Sequence, residues 1–136
     1  MLFAQAPFYP STLVSNQPQY NLMWRVIEAE VTPACLELGV GQIVWSPLAQ
    51  GVLTGKYKAG EEPPAGSRGA SAEGGMFVRG MLNDVTLGAA QRFADVAREA
   101  GTTPARLALA WTIQQPGITS AIIGATRAEQ VADNIG

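Results

Sequence analysis

Two matched segments narrow the possible folds of this chain more than anything else in it. The first is a continuous apolar run of strand length, Gln42 to Leu48, which turns through Ser46-Pro47-Leu48-Ala49-Gln50-Gly51-Val52-Leu53-Thr54-Gly55 to one cation, Lys56. A run this uniformly apolar suits a parallel strand covered on both faces, because such a strand has no solvent side to mark with polar residues. The second is Ser120 to Ile123, a short buried strand, followed by Gly124-Ala125 and a helix from Thr126 that opens with Arg127. Each segment delivers a strand to a turn of small residues, where backbone approaches an anion closely, beside a single cation. The pair predicts a site for one long phosphorylated ligand.

The rest of the chain supplies crossovers between those strands. Leu13 to Gln19 reads as extended and ends at Pro18, leading into a helical segment from about Leu22. Trp24, Ile27, Val31, Cys35 and Leu38 recur at spacings of three and four, which predicts one buried face. Pro33 kinks or splits this helix, with Thr32 capping the new turn, and Gly39 and Gly41 end it. From Ala49 to about Asn83 the many glycines and the pair Pro63-Pro64 predict a long loop, either a functional lid or a mobile insertion. Thr86 to Ala100 is an amphipathic helix closed by Gly101. Thr103 as cap and Pro104 in the first turn start another through the apolar Leu107 to Ile113, and Gln115-Pro116-Gly117 stops it. The order of strands and helices predicts a parallel α/β sheet with helical crossovers.

Composition excludes several classes of partner. A chain of 136 residues with 47% hydrophobic residues has the size of one ordinary domain. The net charge of -2 and pI near 5.0 provide no basic field for nucleic acid or anionic membrane. Met1 to Leu13 carries Pro7 and Pro10 and no basic stretch, a poor signal peptide, and no run approaches the roughly 20 apolar residues of a membrane helix. The expected setting is the cytoplasm. Cys35 is single and reads as a packed thiol.

Gln17-Pro18-Gln19-Tyr20-Asn21-Leu22 with Arg25 and Glu28, then Trp45-Ser46-Pro47-Leu48 through Gly51-Val52-Leu53-Thr54-Gly55-Lys56-Tyr57, and finally Ile122 to Asn134, together resemble the aldo-keto reductase superfamily. Within it they are most similar to the branch with the voltage-gated potassium channel beta subunits and related bacterial reductases. The resemblance runs from Val14 to near the end. It implies that residues 1–136 are the C-terminal part, about three strand-helix units, of a (β/α)8 TIM barrel, truncated on the N-terminal side and in the last helix.

The resemblance also implies NADP as cofactor and an aldehyde or ketone as the small-molecule substrate. Gln17 would hydrogen-bond the nicotinamide carboxamide and Trp45 would stack on its ring. Ser46, Pro47, Leu48, Ala49 and Gln50 would line the pyrophosphate channel, largely through backbone groups. Lys56 would supply a mobile cation, and Arg68 would close the long loop over the cofactor as a belt. Gly124 would admit the backbone to the ligand, Thr126 would cap the following helix, and Arg127 would pair with the 2'-phosphate. Gln130 and Asn134, with Asp133 beside them, would meet the adenine.

The family's catalysis draws an Asp, a Tyr, a Lys and commonly a His from earlier strands. This chain has no histidine, and Tyr9, Tyr20, Tyr57, Lys56 and Lys58 stand outside that context. No catalytic residue is assigned and no metal site is expected. The isolated chain is expected to be inactive, the C-terminal portion of an NADP-dependent reductase. The alternative is a non-catalytic half-barrel module that self-associates or joins a complementing N-terminal half.

Overall fold

The computed structural model describes residues 13–135; the expectations drawn on Pro7, Tyr9 and Pro10 lie outside that range. Three parallel strands form one sheet in the order β1 (Ser15–Asn16), β2 (Gly41–Trp45), β3 (Ile118–Ile122). β2 is central, paired with β1 on one edge and β3 on the other. The register between β2 and β3 shifts at Gln42/Ile43, so Gln42 faces Ile118 whereas Ile43 faces Ser120. The extra residue is Thr119, whose hydroxyl oxygen lies 2.7 Å from where a Cβ on Gly41 would stand. Only glycine on β2 leaves room for that irregularity.

Neither β2 nor β3 is covered on both faces, which corrects the reading of two buried strands. Gln42 and Val44 are buried, while Trp45 is 40% and Ile122 43% exposed. The alternation is that of a sheet packed on one side. Among the described residues, five α-helices and several 3-10 turns accompany the sheet. α1 (Val31–Leu38) returns to β2 and α4 (Pro104–Ile113) packs on β3, while α3 (Asp84–Glu99) packs on α4 and on the turns at 49–54. α2 (Ala72–Val78) lies between β2 and α3 in sequence, and α5 (Ala128–Ile135) follows β3.

The first helix differs from its prediction. Asn21 and Trp24 exchange backbone hydrogen bonds in a tight turn, and Val26–Glu28 is a single 3-10 turn. α1 therefore starts before Pro33, which sits in its first turn where no helical N–H is required. Thr32 does not cap it, since its hydroxyl accepts a 3.1 Å hydrogen bond from Gln42 Nε2. Ile27 and Cys35 are buried, but Trp24, Val31 and Leu38 are exposed. Gly39 ends α1 in the left-handed conformation at φ 68°, as expected.

The stretch 49–83 is not a structureless loop. It contains 3-10 turns at Ala49–Thr54, Arg68–Ala70 and Arg79–Met81, and α2 between the last two. Paired glycines argue against a helix in sequence, yet Gly74 and Gly75 are inside α2. A Cβ on Gly74 would lie 2.6 Å from Ser71 Oγ and 2.7 Å from Arg68 Cγ. Close packing of α2 on the preceding turn overrides the propensity, and Ser71 caps the helix by accepting the Gly74 N–H at 2.8 Å. Of the two later helices, α4 begins as expected, with Thr103 accepting the Arg106 N–H, whereas α3 begins at Asp84, two residues before the predicted Thr86, and is capped by Asn83 through the Thr86 N–H.

The main core joins the 49–54 turns to the helices. Ala49, Val52, Leu53, Tyr57, Val78, Leu87, Ala90 and Ala108 form it. A second cluster, Tyr20, Ile27 and Val44, packs against Trp111 of α4, with the Tyr20 and Trp111 rings stacked at 5.4 Å. Among the described residues, no helix is long and apolar enough to cross a membrane.

Candidate functional site

At the carboxyl ends of β2 and β3 lies a cleft of about 640 Å³. Parallel α/β sheets place ligands there because strand exits and helix starts converge on that edge. Trp45, Ser46, Pro47, Leu48, Gln50, Lys56 and Arg68 border it from the first motif and the stretch after it. Gly124, Thr126, Gln130, Asp133 and Asn134 border it from the second. The two segments singled out in the sequence thus share one cleft.

Gln17, Ala49 and Arg127 are not part of its lining. Gln17 follows the short β1 and is exposed, and Arg127 is exposed on the turn before α5. Ala49 is fully buried in the main core. Gly51, Thr54, Gly66, Thr103, Ala105, Ile122, Ile123 and Ala125 line the cleft without having been assigned. Gly51, Thr54, Ile122, Ile123 and Ala125 stand inside the two quoted motifs, which was signal enough. Thr103 and Ala105 read only as a helix start, and nothing local to them announces a ligand.

The β2 exit is held in an uphill backbone. Ser46, Ala49 and Gln50 have positive φ of 58°, 49° and 58°, conformations that cost roughly 1–3 kcal/mol each in non-glycine residues. Gly51 follows at φ 95°, and a Cβ there would sit 2.9 Å from Lys56 Nζ. Glycine both takes this φ and lets the Lys56 stem fold over it. Local hydrogen bonds fill the turn. Ala49 N–H donates to the Ser46 carbonyl at 3.0 Å, Gly51 N–H to that of Leu48 at 2.9 Å, and Gln50 N–H to Ser46 Oγ at 3.3 Å. The backbone amides of Ala49 and Gln50 are therefore occupied within the turn. The cationic side chains lining the cleft are Lys56 and Arg68.

A chain of polar contacts joins the loop to the strand exit. Gln50 Nε2 donates to Ser46 Oγ at 2.8 Å, and Arg68 Nη1 donates to Gln50 Oε1. Next to Arg68, the Gly69 N–H donates to the Tyr57 hydroxyl at 3.0 Å, and Lys56 Nζ lies 5.3 Å from the centre of the Tyr57 ring. One buried tyrosine thus anchors the loop and carries the lysine, a weak cation–π contact in an exposed setting.

On the far rim, Thr126 does not accept from the helix it precedes. Its N–H and hydroxyl both donate to Gln130 Oε1, at 2.8 and 3.3 Å, leaving only the Gln130 NH₂ for a ligand. Arg106 of α4 donates to the Asp133 carbonyl and so ties α5 to α4. Among the described residues no cluster of His, Cys, Asp or Glu could hold a metal ion.

Tyr20 offers no proton. Its hydroxyl donates to Glu28 Oε1 at 2.6 Å, and burial, reinforced by that bond and the Glu28 charge, raises its pKa well above that of a free phenol. Arg25 grips the same carboxylate through two bonds of 2.7 and 2.9 Å. Those bonds, with the one from Tyr20, hold the Glu28 carboxyl below its usual range.

The model of the Aldo/keto reductase family matches residues 8–136. The chain is 40% identical over 123 residues to a probable voltage-gated potassium channel subunit beta of rice, covering 90% of this chain and 37% of the relative. It is 39% identical over 128 residues to an L-glyceraldehyde 3-phosphate reductase of Escherichia coli K12, covering 90% and 36%. An uncharacterized oxidoreductase of Bacillus subtilis, YrpG, is 38% identical over 123 residues, with coverage of 90% and 35%. The chain thus spans little more than a third of the length of these relatives.

Proposed function

Because the chain belongs to the aldo/keto reductase family, we propose that it is the C-terminal, NADP-binding portion of a reductase that converts aldehydes or ketones by hydride transfer from NADPH. Its three-stranded parallel sheet is consistent with part of a (β/α)8 barrel, and we assign it to the last three units. The observation that carries the reading is the shared cleft, on which Trp45 and Lys56 from one motif meet Gln130 and Asn134 from the other.

The residues suit a dinucleotide. The cleft falls within the roughly 300–1,000 Å³ of small-molecule sites, and it offers an indole, two cations and two carboxamides. NADPH, when bound, supplies the hydride. Trp45 presents a flat apolar face to a planar ring, and Lys56 and Arg68 offset phosphate charge. Arg127, one residue before α5, reaches a 2'-phosphate by extending its side chain to the rim, so the preference for NADP over NAD rests on it. Carbonyl reduction also needs a positioned acid. None is assigned among the described residues, and the isolated chain is inactive. The one cysteine, buried and unpaired, suits a reducing compartment, the cytoplasm.

Titration with NADPH and NADH, followed by tryptophan emission, tests this reading. Tighter binding of NADPH, with the preference lost on Arg127→Ala, is the expected result; absence of binding to both would sink it for this chain. A second reading, a non-catalytic module that assembles with itself or a complementing half, is favoured by the exposed Trp45 and Ile122 on the uncovered sheet face. The relatives named as potassium channel beta subunits carry subunit assembly in their names. A monomer on sizing that binds no hydrophobic dye removes its motive.

A further inference from the structure

We propose that Asn21 is the positioning residue that holds the Trp45–Ser46 turn in its ligand-facing shape; its consequence for cofactor affinity rests on the NADP reading above. Ser46 carries two backbone penalties at once. It is a non-glycine residue at φ 58°, and it precedes Pro47, a position that disfavours all but extended backbone with negative φ. Its own side chain supplies only contacts within the turn, Oγ accepting from Gln50, so a restraint anchored in the rest of the fold comes from outside.

The restraint is the segment Pro18–Asn21, which runs beside the end of β2. The Pro18 carbonyl accepts the Trp45 N–H at 3.0 Å, and the Tyr20 N–H donates to the Trp45 carbonyl at 3.3 Å. One residue on, Asn21 Nδ2 donates to the Ser46 carbonyl at 2.9 Å. That carbonyl also receives the Ala49 N–H, so both its acceptor positions are filled and its direction is set. Asn21 is itself immobile: it is fully buried, its Oδ1 accepts the Met23 N–H at 2.9 Å, and its N–H and carbonyl both pair with Trp24.

Asparagine is specified by these contacts, since one end of the side chain must donate and the other accept. The aspartate of equal shape would set a carboxylate oxygen against the Ser46 carbonyl. The clamp acts on the indole-bearing residue and on the serine whose Oγ accepts from Gln50. It makes no contact with the rim formed by α5. Asn21 therefore governs the nicotinamide side of the cleft and leaves the adenine side alone.

Two measurements on the full chain decide this. In the first, amide hydrogen exchange compares wild type with Asn21→Asp. The expected result is at least tenfold faster exchange at the Ala49 and Gly51 amides with the α3 and α4 amides unchanged. Unchanged exchange at Ala49 and Gly51, or equal acceleration across α3 and α4, overturns the proposal. If Asn21→Asp does not fold, Asn21→Ala, which adds no charge, takes its place in the same comparison. In the second, the affinities of NADPH and of adenosine 2',5'-bisphosphate are measured. The proposal expects NADPH to weaken at least tenfold while the bisphosphate stays within twofold, and equal weakening of both overturns it. Wild type that binds neither probe defeats the NADP reading, and the exchange experiment then still decides on Asn21.

Discussion

On its outer side the sheet presents Gln42 and Val44, both fully buried beneath α1 and Trp111, whereas its inner side presents Ile43, Trp45, Ser120 and Ile122, of which the last three are exposed. Along β2 these are alternate residues of one strand. The difference is what lies opposite. Helices α1 and α4 close the outer side, and the 49–54 turns pack with α3 and α4 into the main core. The inner side faces no layer among the described residues, and α5 has no buried residue. Stability is thus concentrated on one side, and the proposed ligand site sits at the edge where that closed side meets the open one.

The comparison is broken most directly by truncating a side chain on each side. Leu53→Ala, at 1% exposure, is expected to cost about 2–5 kcal/mol in a urea titration. The same experiment on Ile122→Ala should lose well under half of that, and equal losses would show that the inner face is covered in solution. Gly51→Ala comes next, at about 2 kcal/mol, because it meets both an unfavourable φ and the Lys56 ammonium. It should also weaken NADPH binding, and an unchanged midpoint would mean that the turn relaxes freely.

Tyr20→Phe ranks third, at about 1–2 kcal/mol near neutral pH, for a hydrogen bond to a charged group. The pH dependence sharpens it. The folded Tyr20 keeps its proton past the ordinary value of 10.0, so its contribution is complete below that pH and is lost as pH rises from there through the folded value. Glu28 is depressed below its ordinary 4.5; its contribution is complete above that pH and fades as pH falls through the folded value. Thermal midpoints across pH should lose their alkaline decline in Tyr20→Phe. Glu28→Gln should show the smallest effect, a flatter acid limb, since the pair with Arg25 is largely exposed.

Much of the fold was legible because its signals are local. The cap at Thr103 with Pro104, the stop at Gly39 and the strand at Gly41–Trp45 each depend on residues adjacent in sequence. The misreadings share a cause. Trp24, Val31 and Leu38 keep helical spacing, but spacing cannot say whether a neighbour arrives to cover them. Gly74 and Gly75 oppose a helix by propensity, yet the closeness of Arg68 and Ser71 demands their small size. Most of the candidate site was also readable, since both motifs ring the cleft. What escaped were Thr103 and Ala105, contributed by a helix that is remote in sequence, and the buried Asn21 and Tyr57, which act through other residues.

By itself the sequence determined the central and last strands, the two helices before the last strand, the parallel arrangement, and the two motifs that meet at the strand exits, because turn chemistry, capping and apolar period act within a few residues. Only the tertiary structure decided that one face of the sheet is sealed and the other open, that the amides of Ala49 and Gln50 are already taken, and that Asn21 clamps Ser46. Those outcomes depend on which groups from distant parts of the chain come within hydrogen-bonding or van der Waals reach, and a buried polar group or a strained turn persists only where such partners arrive to hold it.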